Sequence, residues 1–82
     1  MPRFYFDMSV GDDFTRDEVG FEYESLTVAE YEATRAAAEI SQDALRKRRA
    51  SDVCARVRDA EGFLLFTVEV STNIRRTVRA LS

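Results

Sequence analysis

A long helical segment with a stripe of very small residues is the feature that most restricts the fold of this chain. The segment runs from Val28 to about Arg49, and its apolar positions fall within one sector of the helix about 100° wide. These positions are Ala29, Ala33, Ala36, Ala37, Ile40 and Ala44. A face this small lets a helix lie close to a sheet that carries large side chains. The stripe therefore predicts one helix lying across one face of a β-sheet.

Four segments around the helix alternate between apolar and polar residues, as half-buried strands do. They cover residues 3–8, 19–23, 53–58 and 63–70. The order β-β-α-β-β predicts an α+β domain of two layers, with an antiparallel four-stranded sheet and the long helix across one face. The expected core joins the alanine stripe to Phe4, Phe6, Phe21, Val57 and Phe66.

The start of the helix carries a local signal of its own. Thr27 and Glu30 have the spacing of a capping box, in which each side chain accepts a hydrogen bond from the other residue's backbone N–H. Leu26 and Tyr31 are spaced as a hydrophobic staple around that cap. Together they predict that Thr27 is the N-cap.

We expect residues 1–82 to form a single domain, with its core in residues 2–70. The tail, residues 71–82, has Ile74, Val78 and Leu81 at helical spacing. It is predicted to form a short amphipathic C-terminal helix.

Composition argues against several functional classes. The chain has no histidine and one cysteine, which removes the commonest general base and zinc ligand and any disulfide within the chain. No phosphate-binding loop or activated nucleophile accompanies its carboxylates, so we expect no catalysis, no cofactor and no metal. The apolar runs are too short for a signal peptide or a membrane span, which favours a cytoplasmic protein without membrane contact.

An acid-rich stretch near the N-terminus has two interpretations. It contains Asp7, Asp12, Asp13, Asp17 and Glu18. Carboxylate oxygens are the ligands of hard cations such as Ca²⁺ and Mg²⁺, but the spacing does not match an EF-hand loop. The alternative is a solvated turn in which Asp side chains accept hydrogen bonds from nearby backbone N–H groups. The sequence favours the turn.

Charge divides the chain into an acidic and a basic half. Residues 1–43 hold three basic residues against eleven acidic ones, and residues 44–82 hold nine against four. Helix electrostatics explain part of this, since acids lie early and bases late in the helix. The nine basic residues support an alternative function as a small nucleic-acid-binding regulator. They are Arg46, Lys47, Arg48, Arg49, Arg56, Arg58, Arg75, Arg76 and Arg79.

Unpartnered apolar residues point to a different function. Tyr31, Ala38 and Leu45 follow one another on the side of the helix away from the sheet. The tail residues Ile74, Val78 and Leu81 form a second stripe, and Phe63 and Leu65 lie on the outer face of the sheet. These residues either pack on each other within one chain or contact another chain. We therefore expect a non-catalytic protein-interaction or self-association domain, partnered by a second copy or another protein.

Short motifs in a fixed order resemble a family of short bacterial proteins that share a domain of unknown function. They are Pro2-Arg3-Phe4-Tyr5-Phe6-Asp7 after Met1, Gly11 followed by Asp17-Glu18-Val19-Gly20, then Leu26, Ala29, Glu32 and Ala33, and finally Val57, Asp59 and Gly62. The resemblance covers residues 2–70. It implies a shared fold and a bacterial cytoplasmic setting, and it implies no activity.

Overall fold

The computed structural model describes residues 1–47 and 52–71. In these residues the chain forms one helix and an antiparallel sheet of five strands, so the α+β class is confirmed. The elements are β1 (Arg3–Val10), β2 (Asp13–Thr15), β3 (Phe21–Glu22), α1 (Leu26–Arg46), β4 (Val53–Arg58) and β5 (Leu64–Val70). No helix in this described part is long and apolar enough to span a membrane.

β1 is the strand on which the sheet is organised. The strand order is β2-β1-β4-β5, and β3 also pairs with β1. One edge of β1 pairs with β4 from Tyr5 to Val10. The other edge is shared, because β3 lies opposite Arg3 and Phe4 and β2 lies opposite the last three residues of β1. A gap between β2 and β3 therefore lies beside the middle of β1.

The predicted four-stranded layout is wrong on this shared edge. β2 lies inside the segment that alternation assigned to a loop, and the strand predicted over residues 19–23 contains only Phe21 and Glu22. Val19 and Gly20 lie in a turn, since Gly20 has a φ of 79° that an extended strand does not adopt. Two short strands thus replace one long one.

The core lies between α1 and the middle of the sheet. Ala29, Ala33 and Ala37 are fully buried, as are their neighbours Val53 and Val57 on β4. The close approach predicted from the alanine stripe is therefore present.

Of the predicted core residues, Phe4 and Phe6 are buried and Phe66 is partly buried against them. Phe21 is a correction, because it remains 50% exposed. Its ring lies 5.5 Å from that of Phe6 and 6.1 Å from that of Tyr23, so it covers the side of the core next to β3.

The N-cap of the helix lies two residues before the predicted one. Ser25 is the N-cap, with its Oγ accepting a hydrogen bond from Val28 N–H at 3.3 Å. Thr27 and Leu26 are already helical, so neither the capping box nor the staple forms. The serine follows β3 in extended backbone, which is the N-cap conformation. α1 ends at Arg46 with Lys47 as its C-cap, earlier than the predicted end at Arg49.

The cap can be tested with two substitutions. Ser25→Ala should lower the free energy of unfolding by about 1 kcal/mol, because the Val28 N–H loses its acceptor. Thr27→Ala should change it by less than about 0.5 kcal/mol, since alanine has a higher helix propensity than threonine and the cap is elsewhere. Urea denaturation followed by circular dichroism measures both. If Thr27→Ala lowers the free energy of unfolding more than Ser25→Ala does, Thr27 is the N-cap instead.

Candidate functional site

A polar network fills the gap beside β1 between β2 and β3. The Phe6 N–H points into this gap and donates to Asp17 Oδ2 at 3.0 Å. The other carboxylate oxygen, Oδ1, accepts hydrogen bonds from the N–H groups of Val19 and Gly20 at 3.0 and 2.9 Å. Asp17 therefore replaces a strand partner for β1 and forms the turn that leads into β3.

A buried ion pair ties this loop to β4. Asp7 is only 6% exposed, and its two oxygens accept from Arg58 Nε at 2.6 Å and Arg58 Nη2 at 3.0 Å. The Asp17 N–H also donates to Asp7 Oδ1 at 3.0 Å, and Arg58 Nη2 donates to the Asp17 carbonyl oxygen at 3.1 Å. The guanidinium lies 5.1 Å from the centre of the Tyr5 ring. Strand β1, the loop and β4 are thus joined through one arginine.

Gly20 lets the loop approach the sheet. Its φ of 79° lies in the region that favours glycine, and a Cβ there would lie 2.9 Å from Arg3 Cγ and 3.0 Å from Tyr5 Cε1. Arg3 in turn donates from Nη1 to the Val19 carbonyl oxygen at 2.8 Å and pairs with Glu22 at 3.3 Å. Arg3 and Tyr5 thus lie against Gly20, and the Arg3 guanidinium also binds the carbonyl oxygen of Val19.

The two aspartates are stabilised as carboxylates. The hydrogen bond from Arg58 lowers the pKa of Asp7, against the opposing effect of burial, and the Asp17 N–H adds to the lowering. Burial raises the pKa of Asp17, but the hydrogen bonds from the backbone of Gly20, Phe6 and Val19 outweigh it, so this pKa is also below its usual value. The ion pair with Asp7 raises the pKa of Arg58.

Asp7 and Asp17 make the local hydrogen bonds that the turn interpretation of the acidic stretch expects. All four of their carboxylate oxygens accept hydrogen bonds from the loop, from β1 or from Arg58. Within residues 1–47 and 52–71, no three His, Cys, Asp or Glu side chains are grouped so that they could hold a metal ion. Cys54 is partly buried on the outer face of β4, opposite Glu69.

The basic residues of the nucleic-acid alternative do not form one surface in the described part of the chain. Arg46 and Arg56 are exposed, Lys47 pairs with Asp43 at 3.0 Å, and Arg58 is held in the network. The remaining five lie outside the described residues. These are Arg48, Arg49, Arg75, Arg76 and Arg79.

The apolar residues proposed for interaction are exposed where the structure describes them. Tyr31, Ala38 and Leu45 lie at the surface of α1, and the three tail residues Ile74, Val78 and Leu81 lie outside the described residues. Two clefts lie between β1 and α1. Met8 lines both, with Ala36 in one and Asp43 in the other, so these two helix residues lie on the flank of α1 that faces β1. At 100° per residue, Thr34, Ala38 and Leu45 lie on the opposite flank, which faces β5.

β5 forms an open side of the core. Among the residues described, no strand pairs with its outer edge. Its helix-facing residues Phe66, Val68 and Val70 are only partly buried, whereas their partners on β4 are completely buried. At its start, Phe63 and Leu64 are 67% and 57% exposed. Apolar side chains are therefore exposed both on β5 and on the flank of α1 on the same side.

A family model matches most of the chain. It matches residues 3–71 and describes a domain of unknown function, DUF6894. The chain belongs to the DUF6894 family. The match spans β1 to β5 and bears out the resemblance to a domain of unknown function. No curated protein and no solved structure matches the chain.

The polar network of this DUF6894 domain brings together residues from two of the motifs singled out in the sequence. Asp7 comes from the first motif, and Asp17 and Gly20 come from the Asp-Glu-x-Gly loop. The sequence indicates that Asp7 pairs with an arginine across the sheet, but it does not single out Arg58, because the two are 51 positions apart and meet only through the pairing of β1 with β4. The spacing of Asp17 and Gly20 was a detectable turn signal.

Two glycines of the DUF6894 domain give a matched test of the loop. Gly20→Ala places a Cβ in a left-handed conformation and against Arg3 and Tyr5, whereas Gly62→Ala, at a φ of 91°, meets open space. Gly62→Ala should cost about 1–2 kcal/mol of unfolding free energy from backbone strain alone. Gly20→Ala should cost clearly more. Equal losses by urea denaturation would show that the loop does not rest on the sheet.

The ion pair predicts a pH dependence. Because the pKa values of Asp7 and Asp17 are lowered by folding, each contributes stability above its unfolded value of about 3.9, and this is lost as the pH falls through the folded value. Asp7→Asn should lower stability at pH 7 and flatten the loss of stability below about pH 4. The exposed Asp12→Asn is the control. If the unfolding free energy of Asp7→Asn falls with decreasing pH as steeply as that of wild type, this role of Asp7 is contradicted.

Proposed function

We propose that this chain is a non-catalytic interaction domain that works by self-association. The observation that carries the proposal is the open side of the core at β5. There the apolar residues of an edge strand are partly or largely exposed, whereas their partners on β4 are completely buried. Burying such surface is worth about 25 cal/mol per Å², so a matching surface would bind it.

The composition of β5 adds support. Its seven residues contain no lysine, arginine or proline, and Glu69 is the only charged one. Natural sheets protect exposed edge strands with such residues because free backbone groups pair readily with other strands. Apart from Glu69, β5 lacks these protecting side chains, so its edge is suited to pairing.

The surface of α1 adds apolar side chains on the same side. Leu45 is 46% exposed and lies on the flank that faces β5, next to Ala38. Tyr31, at 66% exposure, lies further from the sheet. A partner placed against β5 would contact Ala38 and Leu45 on the helix flank, and Tyr31 would lie at the far margin of the contact.

The absence of catalysis is part of the proposal. It rests on the engagement of the carboxylates of Asp7 and Asp17 with hydrogen-bond donors and on the lack of histidine in the sequence. We place the protein in a bacterial cytoplasm, as the family resemblance implies.

Nucleic-acid binding is the weaker alternative. On the outer sheet face, Arg58 and Arg3 are held in ion pairs with Asp7 and Glu22, which leaves Arg56 as the exposed arginine of β4. A nucleic-acid binder would be retained on a polyanion column at low salt and released as salt rises.

Sedimentation of the full chain at several concentrations tests the proposal. We expect a mass above 9.4 kDa that persists at high salt, because apolar burial is not screened as charge pairs are. A monomer at every concentration would contradict self-association. Monomers that bind a polyanion column at low salt would favour the alternative.

A pair of helix variants locates the surface. Leu45→Glu should weaken association about tenfold or more by placing a charge in the apolar region. Gln42→Glu adds the same charge one turn earlier at an exposed position and should have little effect. If the two variants associate equally well, the β5-facing flank of α1 is outside the interface.

A further inference from the structure

The two edges of the sheet differ in a way that selects a partner. One outer edge of the sheet is β2. Its three residues, Asp13–Thr15, are exposed and are flanked by Asp12 and Arg16. The other is β5, with seven residues and one charge. A short edge flanked by charges resists strand pairing, whereas a long apolar edge promotes it. Pairing of β5 with β2 of another copy would be heterologous and would close only if its rotation formed a ring, whereas pairing of β5 with itself closes at two copies.

We propose that the partner is a second copy of this chain, and that two β5 strands pair antiparallel about a two-fold axis at Thr67. This inference rests on the proposed self-association and adds the surface and the register. Antiparallel pairing about an axis perpendicular to the sheet joins two sheets edge to edge and keeps both helices on one face.

The alternation of side chains requires the two-fold axis to pass at a residue, and Thr67, the middle residue of β5, gives the longest overlap. Residues opposite each other in an antiparallel pair lie on the same face. Centring the pair on Thr67 places Phe66 opposite the partner's Val68, within the part of β5 that pairs regularly with β4, and the register shift of β5 lies at Leu64 and Leu65. The partly buried Phe66 and Val68 then complete each other's burial on the helix side.

The position of α1 fits the same dimer. α1 makes most of its contacts with β4 and β5 and fewer with β1, so it lies over the β5 side of the sheet. Two helices that each lie between β4 and β5 would have axes two strand spacings apart, or about 10 Å. Helices pack at about 8–10 Å. Pairing the strands therefore brings the helices into contact without further movement.

The flanks that would meet are suited to that distance. Thr34 and Ala38 are small enough to let helices approach, and Leu45 is the large apolar residue on the same flank. The helices run antiparallel across the axis, which places Leu45 beside the N-terminal half of the partner helix. One interface therefore accounts for the open β5 edge and for the Ala38 and Leu45 part of the exposed helix stripe.

Opposite charges at the two-fold axis test the register. Thr67→Lys places two lysines opposite each other, and Thr67→Glu two glutamates, so each variant alone should dimerise about tenfold more weakly or worse than wild type. An equimolar mixture should recover association, because lysine then faces glutamate. Thr67 is exposed but lies opposite Arg56 on β4, so Thr67→Lys should destabilise the isolated fold slightly and Thr67→Glu should not, which thermal unfolding followed by circular dichroism checks.

The matched controls are Thr15→Lys and Thr15→Glu on β2, an exposed threonine on the other edge. These should leave dimerisation unchanged, alone or mixed. Sedimentation at several concentrations measures all variants. If wild type dimerises but the Thr67 pair shows no weakening and no recovery, the β5 register is wrong and self-association stands. If wild type is a monomer, self-association itself fails.

A cross-link gives a second readout that does not depend on charge. In a Cys54→Ser background, Thr67→Cys should be joined to its copy by a short bismaleimide, and Thr15→Cys should not. The rival occupant of the edge is the tail of the same chain, residues 72–82. A monomeric Thr67→Cys protein that is protected from a thiol reagent, while Thr15→Cys reacts, would assign the edge to a covering segment and overturn the dimer.

Discussion

The hydrogen bond between the Phe6 N–H and the Asp17 carboxylate is the contact on which the N-terminal half of the fold depends. A backbone N–H in the interior must find an acceptor, and β2 and β3 both stop short of this position. Asp17 supplies the acceptor and uses its second oxygen to form the turn into β3. Without it, the edge of β1 would be unpaired at its centre.

Arg58 makes this local arrangement part of the whole domain. By pairing with Asp7 and donating to the Asp17 carbonyl oxygen, it connects the loop to a strand that follows the helix. A partly buried ion pair contributes little net stability compared with a well-packed apolar pair, but loss of one partner is costly. Its effect is to fix one position of the loop, and hence where β3 ends and α1 begins.

Periodicity was enough to predict the elements that pack over several residues. β1, β4, β5 and α1 were all predicted at nearly their observed positions, because each repeats its pattern over six residues or more. The same reasoning failed for β2 and β3, which are three and two residues long. Alternation needs several residues to show itself, and these strands are held in place by pairing with β1.

The candidate site was less predictable for a different reason. Alternation places Arg3, Arg56 and Arg58 on one outer sheet face with Asp7, and it leaves open that the ion pair joins Asp7 and Arg58. They meet because Asp7 pairs with Arg56 and Tyr5 with Arg58 across β1 and β4. Strand register depends on the whole sheet, so it is absent from the local sequence. The open edge was missed likewise, because strand order places β5 outermost.

The geometry of a single helix on this sheet explains why one side stays open. A helix with its side chains is about 10 Å wide, which is about two strand spacings. The alanine stripe holds α1 close over β4 and β5, and Phe21 and Tyr23 cover the core beside β1 and β3. No comparable aromatic residues of the described chain lie beyond β5, where Phe66 remains partly exposed. The small residues that allow close packing thus leave the helix-facing side chains of β5 only partly covered by the one helix.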